Sequence, residues 1–199
     1  MRVQTSRCRL RALLYLHMNP FLRKFFAWGS MGFAFAILAF FSLPHYRQGE
    51  SSIAGKSAED FAMQLDGKPA HLTDFRGKVV VLNFWGSWCG PCVAEVPSLV
   101  ALQQHITCRN GVVLGIAADD DPAKYESFLK DHGVNFPTYR DPGTNEDHRS
   151  PIALSYGSSM YPETYVIDRK GKIVRKIIGP QDWDSPEMTA YFDALLAQN

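Results

Sequence analysis

The sequence predicts an α/β domain, and three observations support this prediction. The apolar, β-branched run Val79–Trp85 has the composition of a strand buried on both faces, and a helical pattern follows it. A second buried run, Val112–Ala117, follows that helix, so the three elements form a right-handed parallel crossover. Near the C-terminus, strands at Tyr165–Asp168 and Lys172–Ile178 pair as an antiparallel hairpin across a glycine-containing turn.

Turn, cap and periodicity signals complete the domain. They predict a hairpin around Asp66-Gly67-Lys68, a helix from the cysteines to near His105, a helix from Pro122 to about Asp131 capped by the aspartates Asp119–Asp121, a short helix within Ile152–Tyr156, and a last helix from Pro186, capped by Ser185, to near Gln198. Cys108 follows the first helix, and we expect it to be a small buried residue.

Charge is distributed unevenly along the 199 residues. The formal net charge is +1, but residues 1–49 contain seven Arg or Lys and no acidic residue, whereas residues 50–199 contain 14 basic and 20 acidic residues. The basic end therefore indicates targeting, and we expect no nucleic-acid partner. The length suits one globular domain with an appendage.

The N-terminal part has the pattern of a membrane anchor. Residues 25–43 carry no charged side chain and would span about 28 Å as a helix, close to the thickness of a bilayer core. Because most basic residues precede this run, residues 1–24 are expected in the cytoplasm and the rest outside it. A cleaved signal peptide is the alternative, but the run is long and no small-residue cleavage site follows. Residues 44–57 are predicted to be a linker and residues 58–199 the domain, and Met18 is hypothesised to be the true start.

Two cysteines stand where the first strand turns into the helix, in the sequence Trp88-Cys89-Gly90-Pro91-Cys92. A thiol at a helix N-terminus lies at the positive end of the helix dipole, which favours the thiolate and lowers the pKa. Two intervening residues let the pair close a small disulfide. A structural bridge and half of a zinc site are the alternatives. We predict no metal site, because the six histidines supply no second ligand pair at the spacing that zinc requires.

These motifs resemble a known fold. WCGPC after VVVLNFW, followed by a proline-led strand hairpin and a terminal helix, is similar to the thioredoxin fold, a central mixed sheet flanked by helices. The resemblance covers about Glu59 to Leu196. It implies an N-terminal hairpin and a central insert between Ala118 and Ser158, and the predicted transmembrane helix precedes the domain.

More narrowly, the domain resembles the membrane-anchored TlpA/ResA/CcmG (DsbE) group of thiol–disulfide oxidoreductases. Asn83 stands where thioredoxins carry a buried acid, and Glu95 matches an acidic position of the group. Pro162-Glu163-Thr164 resembles the proline-plus-glutamate signature of the CcmG branch. Gly90-Pro91 departs from the group, since it is the thioredoxin dipeptide and CcmG proteins often vary it.

The resemblance implies a function and a location. The chain would reduce protein disulfides in cytochrome c maturation, from the bacterial inner membrane, with one span and the C-terminal domain in the periplasm or on the outer face. Its partners would be a protein disulfide, such as that of apocytochrome c, and a membrane dithiol that donates electrons. Its redox group would be the Cys89–Cys92 disulfide, with no other cofactor.

The residues suggest roles for the catalytic groups. Cys89, nearer the helix end, is expected to be the nucleophile, and Cys92 to resolve the mixed disulfide. Trp88 is expected to shield the pair and to contact the client. Glu95 lies one helical turn past Cys92 and is predicted to exchange a proton with its thiol; a surface glutamate is the alternative.

The resemblance adds a substrate-binding segment. It implies that the Tyr161-Pro162 bond is cis and lies beside the cysteines, where the backbone of Tyr161 could pair with an extended client. From the residues alone, Pro162 would be an ordinary proline at the start of a strand. Glu163 is a further candidate in this segment, on weaker grounds.

The expected reduction potential of the cysteine pair favours a role as a reductant over one as an oxidant. If Gly90-Pro91 gives a thioredoxin-like reduction potential of about −270 mV, the potential of the cysteine pair lies about 150 mV below that of a strong periplasmic oxidant. This difference corresponds to roughly 7 kcal/mol for two electrons. Three alternatives remain open. They are a general envelope disulfide reductase, a copper-binding chaperone, which would prefer three residues between its cysteines and a distal histidine, and a peroxidase, which would use one cysteine.

Overall fold

The centre of the fold is strand β3 (Val79–Trp85), whose seven residues are all buried. The structure is a computed structural model that describes residues 53–143, 149–158 and 160–198. The other elements, in chain order, are strands β1 (Ala62–Leu65) and β2 (Lys68–His71), a 3₁₀ helix (Leu72–Phe75), helix α1 (Gly90–Thr107), strand β4 (Gly111–Ala117), helix α2 (Pro122–Asp131), strand β5 (Thr138–Arg140), helix α3 (Pro151–Ser155), strands β6 (Glu163–Ile167) and β7 (Ile173–Ile178), and helix α4 (Pro186–Leu196).

Five of the strands form a mixed sheet in the order β5-β4-β3-β6-β7. Strands β3, β4 and β5 run parallel, whereas β6 and β7 pair antiparallel. Because β6 runs against β3, Phe84 near the end of β3 lies opposite Glu163 at the start of β6. The loop that follows β3 and the segment that precedes β6 therefore meet at one edge of the sheet. This topology is that of the thioredoxin-like fold, which confirms the predicted fold class.

Apolar residues cover both faces of this sheet, as a doubly buried central strand requires. On one face, Val79 and Val81 pack with buried residues of α1 and α4, among them Leu99 and Phe192. On the other face, the buried cluster consists of alternate β3 residues with the hairpin and the region around α3, and its members include Val80, Leu82, Phe84, Met63, Ala153, Tyr156 and Tyr165. Successive β3 side chains therefore lie on opposite faces of the sheet. Polar side chains of neighbouring strands can contact each other only when they lie on the same face.

The predicted elements are present, but one strand was missed, several element ends differ by one or two residues, and one expectation about burial was wrong. Strand β5 was not predicted, because three half-buried edge residues carry no periodic signal. Strand β6 begins at Glu163, two residues before the predicted start, because Glu163 and Thr164 pair with Phe84 and Asn83 of β3. Helix α1 continues to Thr107, two residues past His105. The expectation that Cys108 is buried was wrong, since it caps the C-terminal end of α1 in an exposed position.

The predicted membrane span, residues 25–43, lies outside the described residues, as do residues 1–24 and most of the linker. Within the part of the chain that the structure describes, none of the helices combines the length and the apolar character needed to cross a bilayer.

Candidate active site

The centre of the site is a disulfide between Cys89 and Cys92, whose Cα atoms are 5.2 Å apart. Cys89 is the N-cap of α1, and its Sγ accepts a hydrogen bond from the Cys92 backbone N–H at 3.3 Å. Pro91 fits at the second helical position, where no backbone N–H is needed. Cys89 is 7% exposed and Cys92 is 1% exposed, so a client disulfide can reach Cys89 more easily. A thiolate on Cys89 would lie at the positive end of the helix dipole.

The segment before β6 lies against the disulfide, as the sheet register requires. The Tyr161-Pro162 peptide bond is cis, and Tyr161 packs on the cluster that contains Cys89 and Cys92. The ring of Trp88 meets that of Tyr161 edge to face, with centroids 5.8 Å apart. Trp88 is 54% exposed, an unusually large apolar surface beside a reactive group. Trp88 and Tyr161 are therefore in contact beside the disulfide, and the bond before Pro162 is cis, as the family resemblance implied.

The central insert is tied to this segment through the phenol of Tyr161. Its oxygen accepts a hydrogen bond from the Ser150 N–H at 3.1 Å, and burial raises the pKa of the Tyr161 phenol. Ser150 caps α3, and the Asp141 carboxylate accepts from its hydroxyl at 2.5 Å and from the Ile152 N–H at 2.9 Å. These contacts fix one side of Tyr161. Sequence reasoning missed them because they join residues across a polar loop.

On the same helix, one turn past Cys92, lies the buried carboxylate of Glu95, which is 3% exposed. Its Oε1 accepts a hydrogen bond from Asn83 Nδ2 at 2.9 Å. Its Oε2 accepts from the Gln181 backbone N–H at 3.2 Å and from Trp183 Nε1 at 3.1 Å. Burial raises the pKa of Glu95, and the three hydrogen bonds only partly oppose this shift. Glu95 is thus a core residue and not the surface glutamate of the alternative interpretation.

Glu163 occupies the other face of the sheet. Its neighbour Thr164 accepts a hydrogen bond from Asn83 at 2.9 Å, on the Glu95 side. The Glu163 carboxylate instead accepts from the hydroxyl of Tyr165 at 2.6 Å and from Lys176 Nζ at 2.8 Å, and its Oε2 has no partner among the described residues. Burial, followed by the contact with Glu163, raises the pKa of Tyr165. The structure therefore does not bring Glu163 together with Glu95, and its role in substrate binding stays a prediction.

A further residue of the site, Asp119, was not identified from the sequence. Its buried carboxylate accepts hydrogen bonds from the backbone N–H of Ser87, at 3.0 Å, and from the Ser87 hydroxyl. Asp119 thus anchors the loop before Cys89 to the end of β4. Of the three aspartates predicted to cap α2, Asp121 is the cap and accepts from the Ala123 N–H at 2.9 Å. The signal that distinguishes Asp119 is its position directly after a buried strand.

The mixed sheet, the disulfide at a helix start and the neighbouring cis-proline define a thioredoxin-like thiol–disulfide oxidoreductase. The Redoxin family profile matches residues 53–195. The chain belongs to this family and, within it, to the TlpA/ResA/CcmG thioredoxin-like group. Members of this group work through a redox-active cysteine pair, which here is Cys89 and Cys92.

Individual relatives support this assignment. The chain is 36% identical over 128 residues to a thiol-disulfide oxidoreductase ResA of Bacillus cereus, covering 64% of this chain and 70% of that protein. It is 34% identical over 152 residues to thiol:disulfide interchange protein HelX of Rhodobacter capsulatus, covering 74% and 79%. A candidate thiol:disulfide interchange protein DsbE from Chlorobium tepidum superposes with a TM-score of 0.65 at 28% identity, covering 72% of this chain and 98% of that one.

Replacing Asp119 tests how the active-site loop is held. We expect Asp119→Ala to lower the free energy of unfolding by about 1–3 kcal/mol, because the N–H and the hydroxyl of Ser87 lose a buried acceptor. Asp119→Asn keeps a side-chain oxygen and should lose less. Urea unfolding measures both, with the exposed Glu126→Ala as control. Equal stabilities of the Ala variant and the parent would show that Asp119 does not hold the loop.

The raised pKa of Glu95 predicts a pH dependence of stability. A carboxyl group whose pKa is raised in the folded state stabilises the fold through its protonated form. This contribution is fully present at pH values below the pKa of the unfolded chain, near 4.5, and is lost as the pH rises through the pKa of the folded state. Glu95→Gln cannot lose a proton. We therefore expect the unfolding free energy of the parent, relative to this variant, to fall as pH rises above 4.5 and then to level off.

Denaturant unfolding at a series of pH values measures this difference, and Glu126→Gln provides an exposed control that should show no such trend. A difference between parent and Glu95→Gln that is constant across the series would contradict the prediction.

Proposed function

We propose that this oxidoreductase is an exported, membrane-anchored protein-disulfide reductase that serves cytochrome c maturation. The observation that carries the proposal is the Cys89–Cys92 disulfide at the start of α1, in which Cys89 is the more exposed residue. Tyr161, the residue before the cis-proline, packs on the cluster that contains both cysteines. The cytochrome c role is supported by the family resemblance, and the anchor by the apolar run of residues 25–43.

The reaction begins with the dithiol form. The Cys89 thiolate attacks one sulfur of the client's disulfide, forms a mixed disulfide and expels the other client sulfur as a thiolate. Cys92 then loses its proton, and its thiolate attacks the Sγ of Cys89. The client leaves as a dithiol after taking up protons, having gained two electrons, and the protein is left with the disulfide seen in the structure.

Glu95 is the acceptor of the Cys92 proton in this proposal. It lies one turn along the same helix. Because its pKa is raised, its proton affinity is closer to that of a thiol than the proton affinity of an exposed carboxylate is. Because Glu95 is buried, the proton is exchanged inside the protein rather than with bulk water.

The client surface consists of Trp88, Tyr161 and Pro162. The exposed indole of Trp88 supplies apolar contact area, and the rigid segment before β6 offers the backbone of Tyr161 for strand-like pairing with an extended client. The ties from Ser150 and Asp119 hold the two sides of this surface in place. Glu163 contributes to client binding only indirectly, since its carboxylate is buried on the opposite face.

Electrons must be supplied to this domain from a dedicated source. A pair with the thioredoxin dipeptide Gly90-Pro91 is expected to act as a reductant in an oxidising compartment, so each turnover requires a fresh reduction. A membrane dithiol is the proposed donor. Attachment to the same membrane raises the effective concentration of the donor near the disulfide.

A general envelope disulfide reductase is the second candidate. The same dipeptide favours it, because Gly90-Pro91 is typical of thioredoxins with many clients. The two candidates share the chemistry and differ only in the range of clients.

Trapping distinguishes them. Cys92→Ser leaves Cys89 without its resolving partner, so we expect clients to accumulate as mixed disulfides on Cys89. The variant should be made together with Cys108→Ser, because the exposed Cys108 could form adducts of its own. Adducts are separated without reductant and identified by mass spectrometry. The Cys89→Ser, Cys92→Ser, Cys108→Ser variant is the matched control. Both variants also carry Cys8→Ser, which removes the fourth cysteine of the chain, and the control should trap nothing.

The identity of the trapped proteins decides the range of clients. Predominant recovery of apocytochrome c supports the dedicated role, whereas a broad set of envelope proteins supports the general one. If the dithiol form of the parent failed to reduce any protein disulfide, both candidates would be wrong.

The anchor is tested by fractionation of cells that express the full chain. We expect the protein to remain with membranes after alkaline carbonate extraction and the domain to be digested by protease added to spheroplasts. A chain that begins at residue 44 behind a cleavable signal peptide is the matched control and should be soluble in the periplasm. Release of the mature domain from the natural chain would favour a cleaved signal peptide instead.

A further inference from the structure

We propose that Glu95 takes up its proton at Oε1 only, and that Trp183, together with the backbone N–H of Gln181, enforces this choice. Trp183 is thereby a positioning residue of the active site. The inference rests on the proposed function, in which Glu95 exchanges a proton with Cys92, but its test reads the carboxyl group itself and not the turnover of a client.

The first step concerns Oε2, which accepts two hydrogen bonds. An ionised carboxylate offers about four lone-pair sites, two on each oxygen. The Gln181 N–H and Trp183 Nε1 occupy both sites of Oε2, at 3.2 and 3.1 Å. A backbone N–H and an indole N–H can only donate. A proton can therefore bind to Oε2 only if one of these donors is displaced.

Displacing either donor is unfavourable. Trp183 is fully buried, and its indole packs in the core with Phe192. An indole N–H that left Glu95 would remain in the core without a partner, and a buried donor without an acceptor bears its full desolvation penalty. The Gln181 N–H is fixed by the backbone of the loop between β7 and α4.

The second step concerns Oε1, which accepts one hydrogen bond, from Asn83 at 2.9 Å. Its second lone pair is the acceptor site that these three contacts leave for a proton. Asn83 can keep donating to Oε1 after protonation, and its other hydrogen stays on Thr164 Oγ1 at 2.9 Å. Protonation at Oε1 thus breaks none of the observed hydrogen bonds. One O–H bond forms, and no heavy atom has to move.

Two further carboxyl groups line the groove that Glu95 lines, and none of the three groups that donate to Glu95 is charged. Glu95 lines a groove of about 440 Å³ together with residues of α1 and of the loop between β7 and α4. The titratable groups that this loop contributes to the groove are Asp182 and Asp184. Strands β3 and β6 present Asn83 and Thr164, which do not titrate in this range, and α1 itself contributes the cysteine pair.

The consequence is a fixed geometry in both protonation states. If either oxygen could be protonated, the loop would have to rearrange whenever the proton changed sides. With Oε2 held by permanent donors, the proton always occupies the oxygen on the side of β3. Trp183 therefore acts through Glu95 and does not itself touch the sulfurs in this proposal.

Nuclear magnetic resonance of the full chain in detergent micelles, labelled with ¹⁵N at tryptophan and asparagine, tests this inference. The probe is the pH alone. An infrared difference spectrum between the parent and Glu95→Gln isolates the carboxyl C=O stretch of Glu95 and reports when this residue is protonated. We expect the Trp183 indole N–H to stay hydrogen-bonded and slow to exchange with solvent on both sides of that transition. Loss of the indole hydrogen bond upon protonation would place the proton on Oε2 and overturn the proposal.

Two matched substitutions sharpen the test. Trp183→Phe removes the N–H while keeping an aromatic ring, so we expect about a tenfold rise in the proton affinity of Glu95, because a hydrogen bond to the charged form is lost. Trp85→Phe removes a buried indole N–H for which the described residues provide no acceptor, and it should leave that affinity unchanged. Equal effects of the two substitutions would contradict the inference. If the parent shows the expected indole behaviour but reduces no protein disulfide, the proposed function fails while this inference stands.

Discussion

The junction between β3 and α1 is the constraint on which the site depends. Seven buried residues fix β3 in the middle of the sheet, so the chain leaves it at one defined point and direction. Because Cys89 caps the helix that starts there, its sulfur lies among backbone N–H groups, and it accepts a hydrogen bond from one of them. The antiparallel register of β6 then brings Tyr161 and the cis-proline to the same edge. The reactivity of the sulfur and the surface that a client meets are therefore both consequences of one strand's position.

The two buried glutamates, Glu95 and Glu163, lie in different electrostatic environments. Glu95 is surrounded by neutral donors, so burial dominates and its pKa is raised. Glu163 is equally buried, but Lys176 lies 2.8 Å from its carboxylate and compensates the charge. The first environment suits a group that gains and loses a proton. The second contains an ion pair, which joins β6 to β7 near the cis-proline.

The sequence was sufficient for contacts that are local along the chain. The WCGPC motif, the helix caps and the buried runs predicted the disulfide, the helix starts and the core strands, because each depends on neighbouring residues. The family resemblance added the cis bond before Pro162. The partners of Glu95 could not be predicted in this way, since Trp183 is 88 positions away and has no polar motif around it. Asp119 was missed for a related reason: its partner Ser87 is 32 positions away, and three consecutive aspartates before a proline looked like ordinary helix caps.

The position of the titratable group relative to the cysteines is also a consequence of the sequence. The thioredoxins that this domain resembles carry a buried acid at the position of Asn83, on the central strand. Here the strand supplies an amide, whose two hydrogens bind Glu95 and Thr164, and the acid is on α1. The three groups that donate to Glu95 are neutral, so no second acid is coupled to its protonation through a direct hydrogen bond. Since Cys92 and Glu95 belong to the same helix, one turn apart, movement of the active-site loop changes their separation little. In the proposed mechanism, a proton acceptor on the helix would therefore stay in register with the Cys92 thiol when a client contacts Trp88 and the segment around Tyr161.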